Sequence, residues 1–325
     1  MKILVTGGLG LIGHNVVARL EALGHTVVIV DTKTTYGIIP QSEIDYLMEE
    51  RKKKIKTRFV FDMDIAARNI NKLMQSHQPD IVIHMASFPR QKVVNANPQL
   101  GSKTMSEGLL NLLEASVREK VKKFIYISSS MVYGDFTDDV TEDYDCKPQG
   151  QYGIMKYAGE LLVKDYTRKY GMAHTIIRPS AVYGPLDVED RVIAKFMLQA
   201  MRGQTLKVNG SNETLDFTFS TDAADGMVAA ALSENAMNKT YNITKSHSRT
   251  LLDAAQLAVK IVGKGSIEVR GKDADFPSRG ALNISAARRD FGFDPKIDVE
   301  EGFQKYYEWI KGSSYWQAKL NTNDK

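Results

Sequence analysis

Residues 2–13 read Lys-Ile-Leu-Val-Thr-Gly-Gly-Leu-Gly-Leu-Ile-Gly, and no other stretch restricts the fold as tightly. A run of strand formers, Lys2–Thr6, ends in Gly7-x-x-Gly10-x-x-Gly13, and an amphipathic stretch, Gly13–Leu23, begins on the last glycine. Glycines at that spacing permit a tight turn and let the helix pack closely on the strand before it. Thr26–Asp31, Arg58–Phe61, Ile81–His84, Phe124–Ser128 and His174–Arg178 repeat the β-rich pattern. Ala66–Gln75, Gly108–Arg118 and Tyr152–Tyr170 supply helical patterns between them. Strands alternating with helices predict βαβ units. The strand runs are apolar throughout, as in a sheet covered on both faces. The expected fold class is α/β, a Rossmann-type doubly wound parallel sheet.

After Pro185 the rhythm loosens. A helix over Val192–Arg202, a strand at Leu206–Val208, a turn at Asn209-Gly210 and a helix over Ala223–Leu232 follow. Beyond Thr250 come a helix at Leu251–Val262, loops rich in Gly and Pro, and a helix near Glu300–Lys311. This predicts a smaller, partly interleaved C-terminal substrate lobe. The expected division is 1–178 for the sheet domain, with some later segments returning to it, 179–311 for the lobe, and a flexible tail over 312–325.

Composition excludes several classes. With 43% hydrophobic and 25% charged residues in 325, the chain can bury a sizeable core, so disorder is out. A single cysteine, Cys146, forms no internal disulfide, and the six histidines show no ligand pairing, so no metal is expected. No apolar run reaches membrane-span length, and the start is too short for a signal peptide, so a cytoplasmic protein is expected. A net charge of +4 does not imply nucleic acid. The basic run Arg51-Lys-Lys-Lys-Ile-Lys-Thr-Arg58 reads as a solvated helix end offset by Glu43, Asp45, Glu49 and Glu50.

The glycine turn also has a chemistry. A pyrophosphate fits at the positive N-terminus of the helix it opens. Asp31, ending the second strand, accepts hydrogen bonds from an adenosine ribose and repels a 2′-phosphate. NAD is therefore preferred over NADP, with Lys33 two residues on as the one contrary feature.

Four Tyr-x-x-x-Lys pairs occur, and context separates them. On a helix the two side chains share a face about 5–6 Å apart; on a strand they stand about 13 Å apart. That removes Tyr241/Lys245, and Tyr307/Lys311 and Tyr315/Lys319 lack hydroxyls before them. Tyr152/Lys156 begins a helix and follows Ser128-Ser129-Ser130 at a strand's carboxyl end, where ligands bind in such sheets. A tyrosine of pKa about 10 needs a shift of about 3 units, roughly 4 kcal/mol, to act as a base near neutrality. A lysine one turn away supplies favourable charge.

Taken in order, these residues resemble the extended short-chain dehydrogenase/reductase superfamily, specifically its sugar-nucleotide epimerases and dehydratases such as the UDP-glucose/UDP-galactose 4-epimerase-like proteins. The matching motifs are Gly7-x-x-Gly10-x-x-Gly13, Asp31, Asp62-Met63-Asp64, His84-Met85-Ala86-Ser87 and Ser128-Ser129-Ser130-Met131-Val132-Tyr133-Gly134. Tyr152/Lys156, the run Arg178–Pro185 and Asp216-Phe217-Thr218 complete the set. The resemblance implies Ser129 as the catalytic hydroxyl, Tyr152 as the base, and Lys156 as the group that lowers the base's pKa and holds a nicotinamide ribose. It implies Asp62 and Met63 beside the adenine, Ala86 and Ser87 along the pyrophosphate–ribose tract, and Pro179 near the nicotinamide. Leu11, Ile12, Met85 and Ile127 complete the implied cofactor surface. A homodimer through helices near 104–118 and 152–170 is implied as well.

The departures matter as much. Where 4,6-dehydratases carry Asp and Glu after the catalytic hydroxyl, this chain has Ser130 and Met131, and Met cannot move a proton. Met105, Ala181 and Leu215 replace polar positions that usually hold the sugar nucleotide, the last a diphosphate-binding arginine. Arg90, Arg191 and Arg279 are the expected replacements, with Ser129, Ser130 and Met131 also lining the substrate. The sequence thus points to an NAD-dependent sugar-nucleotide epimerase acting at C4 through a transient 4-keto sugar. A 4-oxidase or atypical dehydratase of the same family, and a non-catalytic NAD-binding scaffold or sensor, are the alternatives.

Overall fold

The computed structural model describes residues 1–32, 39–88, 91–273 and 276–321. β1 (Lys2–Thr6) turns through the glycines into α1 (Gly13–Ala22); β2 (Thr26–Asp31), α2 (Gln41–Lys52), β3 (Val60–Asp62), α3 (Ile70–His77) and β4 (Ile81–His84) continue the alternation. Short helices α4 (Gln91–Ala96) and α5 (Pro98–Ser102), a π-helical turn (Lys103–Glu107) and α6 (Gly108–Arg118) lead to β5 (Lys123–Ile127). The long α7 (Gly150–Tyr170) precedes β6 (Ala173–Pro179) and the two-residue β7 (Val182–Tyr183). Then come α8 (Val192–Met201), β8 (Thr205–Asn209), β9 (Thr214–Asp216), β10 (Thr218–Phe219), α9 (Ser220–Leu232) and β11 (Lys239–Ile243). β12 (Ser248–Thr250), α10 (Leu251–Val262), β13 (Ser266–Arg270), α11 (Ser285–Phe291), α12 (Val299–Gly312) and α13 (Ser314–Asn321) finish the chain.

One seven-stranded sheet, ordered β11-β6-β5-β4-β1-β2-β3 with every neighbour parallel, organises the larger part. Strand order reverses between β1 and β4, and a ligand cleft is expected outside the carboxyl ends there. Side-chain alternation splits the core into two layers. Ile3 and Val5 of β1 pack with Val16, Val17 and Leu20 of α1 on one face, while Leu4 joins Leu109, Leu112 and Leu113 of α6 on the other. A third cluster, with Tyr183, Phe217, Phe219, Phe303 and Trp316, makes the interior of the smaller part. Among the described residues no helix is long and apolar enough to cross a membrane.

Three expectations change. Helix α3 begins at Ile70, not Ala66, because Asp64 accepts the Ala66 N–H at 2.9 Å and holds the chain in a turn first. Residues 314–321 are not a flexible tail: they form α13, anchored by the buried Trp316 and by Tyr315 stacked on Tyr46 at 4.4 Å. Residues 322–325 lie outside the described residues. Arg51, read as part of a solvated run, is buried, and its Nη1 and Nη2 donate to two backbone carbonyls. Periodicity could not show this, because α2 has charged residues on the face it buries.

His84, at the end of β4, is buried against Thr6 Oγ1 at 2.8 Å. Burial, and secondarily the Lys156 charge, push it down to about 3. Its folded value lies below the unfolded one of about 6.5, so its contribution is full above pH 6.5 and is lost as pH falls toward the folded value. His84→Asn should therefore lose less stability between pH 7.5 and 5.5 than the parent protein, by about 1 kcal/mol. Parallel losses in urea melts at the two pH values would contradict this.

Candidate active site

A cleft of about 1200 Å³ opens at the carboxyl ends of β1, β4 and β5. Single small-ligand sites span about 300–1,000 Å³, so this one has room for more than one bound molecule. Gly7, Gly10, Leu11, Ile12, Gly13 and Asp31 line one end, with Met63, Met85, Ala86 and Ser87 beside them.

The glycines there are required by geometry. Gly7 has φ +72°, and a Cβ on it would meet the Ala86 nitrogen at 2.8 Å; one on Gly13 would meet the Gly7 carbonyl at 2.1 Å. A Cβ on Gly10 would meet only the Gly7 oxygen, at 3.1 Å, and otherwise project into open space. No side chain caps α1: Ile12 occupies the N-cap with no side-chain hydrogen bond, the His14 N–H is taken by the Gly10 carbonyl at 3.2 Å, and Gly10–Gly13 line the cleft. Donors and macrodipole suit an anion there. Asp31 accepts from the N–H of Leu9 at 2.6 Å and of Thr32 at 2.7 Å. Burial raises its carboxyl, and those two N–H groups and Arg51 oppose the rise. Glycine cradle, uncapped helix end and a carboxylate on the cleft wall fit a dinucleotide.

Asp62 stands apart from this set: it is exposed on the edge strand and outside the cleft wall. The Met63 N–H donates to the Asp31 carbonyl at 2.9 Å, and that bond sets Met63 against the cleft in its place. Lys33 and Arg90 lie outside the described residues.

Ser129, Tyr152 and Lys156 meet in the middle of the cleft with Ile127 and Pro179. Ser129 follows β5 and caps the 3-10 turn Ser130–Val132, accepting the Met131 N–H at 3.2 Å. Tyr152 and Lys156 are one turn apart on α7, with Lys156 Nζ 5.9 Å from the Tyr152 ring centre. Lys156 is buried and donates to the Ile127 carbonyl at 2.8 Å; burial pushes its ammonium down to about 7, with Glu160 opposing. Burial also raises the Tyr152 phenol, and the opposing influences are the Arg191 charge and a hydrogen bond with Ser129. Arg191, at the N-cap of α8, is a cation whose charge favours the ionised Tyr152.

Under these residues lies a buried polar network. Arg178 donates from Nε to Glu160 Oε1 at 2.9 Å and from Nη2 to Oε2 at 2.7 Å. Its Nη1 donates to the Tyr133 hydroxyl at 2.9 Å and the Glu142 carbonyl at 3.1 Å. Tyr133 donates to Asn242 at 2.8 Å, and Ser128 to Glu160 at 2.6 Å. The network ties β6 and β11 to α7 and to the strand end that presents Ser129.

Ser130, Met131, Arg191 and Arg279 also line the cleft. Ser130 donates to Ser180 at 3.1 Å, and Met131 Sδ accepts from Arg279 Nη1 at 3.5 Å. Arg279 Nε is buried without a hydrogen-bond partner, a donor that an anion could satisfy. Burial lowers this guanidinium to about 10, with Glu213 opposing. Ala181 has φ +36°, a region asparagine or glycine enters more readily than alanine. Ala181→Gly should raise unfolding stability by up to about 1 kcal/mol, measured by urea denaturation; a clear loss would contradict the strain. Met105 is buried with Phe88 and Val94, and Leu215 lines the cleft on β9, opposite Arg249 of β12.

A doubly wound sheet with a glycine cradle at its switch point and a Ser–Tyr–Lys set beside it defines a dinucleotide-binding α/β protein with a second ligand site. Residues 3–244 match the NAD dependent epimerase/dehydratase family, and the chain belongs to that family. It is 28% identical to UDP-glucuronic acid 4-epimerase from Bacillus cereus, whose structure contains UDP-glucuronic acid and NAD; the TM-score is 0.87 over 96% of this chain and 99% of that one. UDP-glucose 4-epimerase of Thermotoga maritima, solved with UDP-glucose, is 26% identical with a TM-score of 0.85, over 96% and 99% of the two chains. The dTDP-glucose 4,6-dehydratase of Neisseria meningitidis is 28% identical over 98% of this chain and 96% of its own.

Proposed function

We propose that the protein is an NAD-dependent epimerase of nucleotide-diphosphate sugars acting at C4. The observation that carries this reading is the meeting of Ser129, Tyr152 and Lys156 beside a dinucleotide-shaped cradle, in a cleft roomy enough for a second ligand. Gly7, Gly10, Leu11, Ile12, Gly13, Asp31, Met63, Met85, Ala86, Ser87, Ile127 and Pro179 would hold NAD. Bound there, it would supply the hydride acceptor and donor that inversion of a secondary alcohol needs.

Tyr152 takes the C4 hydroxyl proton as that carbon becomes a ketone and returns it when the alcohol re-forms. Ser129, already hydrogen-bonded to the phenol, shares that proton and orients the sugar oxygen. Lys156, fixed by the Ile127 carbonyl, is set to hold a ribose hydroxyl. Arg191 favours the phenolate, and Arg279 offers its buried donor to the diphosphate. Neither Ser130 nor Met131 can act as the carboxyl pair of a dehydratase, which favours epimerisation within the family.

The test is a panel of UDP-, GDP-, CDP- and dTDP-sugars followed by NMR at C4. Inversion without net change in NAD supports the reading. Accumulating NADH with a stable keto sugar would make the protein a 4-oxidase, and loss of water a dehydratase. No turnover on the panel, with NAD bound, would favour the scaffold alternative.

A homodimer is part of the proposal. Leu110 on α6 and Ile154 and Leu161 on α7 are exposed apolar side chains on neighbouring helices. Leu161→Asp should convert a dimer to a monomer in light scattering after gel filtration; a wild-type monomer at the same concentration would remove this part.

A further inference from the structure

Helix α2 buries two charged side chains, and both hold the backbone of one segment on the far wall of the cleft. Arg51 donates from Nη2 to the Leu186 carbonyl at 2.6 Å and from Nη1 to the Leu9 carbonyl at 2.8 Å. Three residues on, Glu43 Oε1 accepts the Glu189 N–H at 2.8 Å. Lys319 of α13 closes the arrangement, reaching Glu43 at 3.2 Å and Glu189 at 2.5 Å.

Burying ionised groups is costly unless their bonding is specific, and here the bonds converge on backbone. The segment they hold is strained: Leu186 has φ +69°. Such a conformation persists only where its surroundings over-determine it, and it gathers at functional sites. Two residues past Glu189, the segment ends at Arg191, the N-cap of α8, which lines the same cleft as Tyr152.

We propose that Glu43 and Arg51 are positioning residues that clamp residues 186–189 and so fix where Arg191 enters the cleft it shares with Tyr152. Arg51 adds a link to the glycine turn through Leu9, so one buried guanidinium joins the cofactor wall to the substrate wall. This inference rests on the proposed chemistry only for its kinetic readout.

The test uses the full-length protein with NAD bound, comparing Glu43→Ala, Glu43→Gln, Arg191→Ala and the Glu43→Ala/Arg191→Ala pair. Glu43→Ala should lower kcat about tenfold while KM for the nucleotide sugar and NAD retention change less than about twofold. Glu43→Gln keeps an acceptor for the Glu189 N–H and should restore most of kcat. The double variant should be no slower than Arg191→Ala alone. Hydrogen exchange gives a readout independent of turnover: amides of residues 186–191 should exchange at least about tenfold faster in Glu43→Ala, with α8 unchanged. If Glu43→Ala does not fold, Glu43→Asp, too short to reach Glu189, takes its place in both measurements. Losses that multiply in the double variant, or unchanged exchange at 186–191, would overturn the clamp. A wild-type protein without turnover would overturn the proposed function, leaving the exchange result to decide the clamp.

Discussion

Tyr152→Phe should cut turnover of the nucleotide sugar about 10³-fold, or about 4 kcal/mol in the barrier, and leave NAD bound. The change deletes one hydroxyl, whose hydrogen-bond partner is Ser129. The glycine cradle and Asp31 are untouched. Chromatography of nucleotide released from the denatured variant should return as much NAD as from the parent. The parent's pH dependence carries a sign that can be checked. Burial raises the phenol above its ordinary value, so the ionised fraction, and with it turnover, should climb as pH rises through the neutral and mildly alkaline range. Removing the opposing cation by Arg191→Ala should move that climb to higher pH. A Phe variant with parental turnover would remove Tyr152 as proton carrier, and an onset moving to lower pH would remove Arg191 as its electrostatic partner.

Glu160→Gln should cost about 3–5 kcal/mol of unfolding stability, because it leaves the Arg178 guanidinium buried without a counter-charge. The carboxylate accepts both guanidinium arms and the Ser128 hydroxyl, and an amide can satisfy only part of that set. The urea midpoint should fall with little change in slope. The stronger test is the paired replacement. Glu160→Leu with Arg178→Met removes both charges, and replacing a whole buried pair is often near neutral. The double variant should therefore be more stable than either single one. If the single losses simply add, the cost lies in packing and not in an orphaned charge.

Much of this molecule is legible in its residues. β1, β2, β4, α6 and α10 have the expected bounds, because each is a short apolar run or a clear amphipathic stretch between turn residues. The glycine turn and Tyr152/Lys156 stand out for a similar reason: local backbone geometry dictates both spacings. That Arg191 shares a cleft with Tyr152 has no local signature, because only the fold brings the start of α8 to the start of α7. Arg51 offered no sequence signal at all. Its run of six basic residues in eight looks alike at every position, and only the approach of Leu9 and Leu186 distinguishes it.

By itself the sequence determined the sheet, the cradle at its switch point and the helix face joining Tyr152 to Lys156. These follow from side-chain period and from glycine at fixed offsets, properties of residues within a few positions of one another. Tertiary structure alone decided the electrostatics. Burial weakens the ionisation of Lys156, Arg191 joins Tyr152 in one cleft, and Glu43 and Arg51 become tethers for backbone more than a hundred positions away. Charge in a protein acts through distance and burial, and neither is set until the chain has folded.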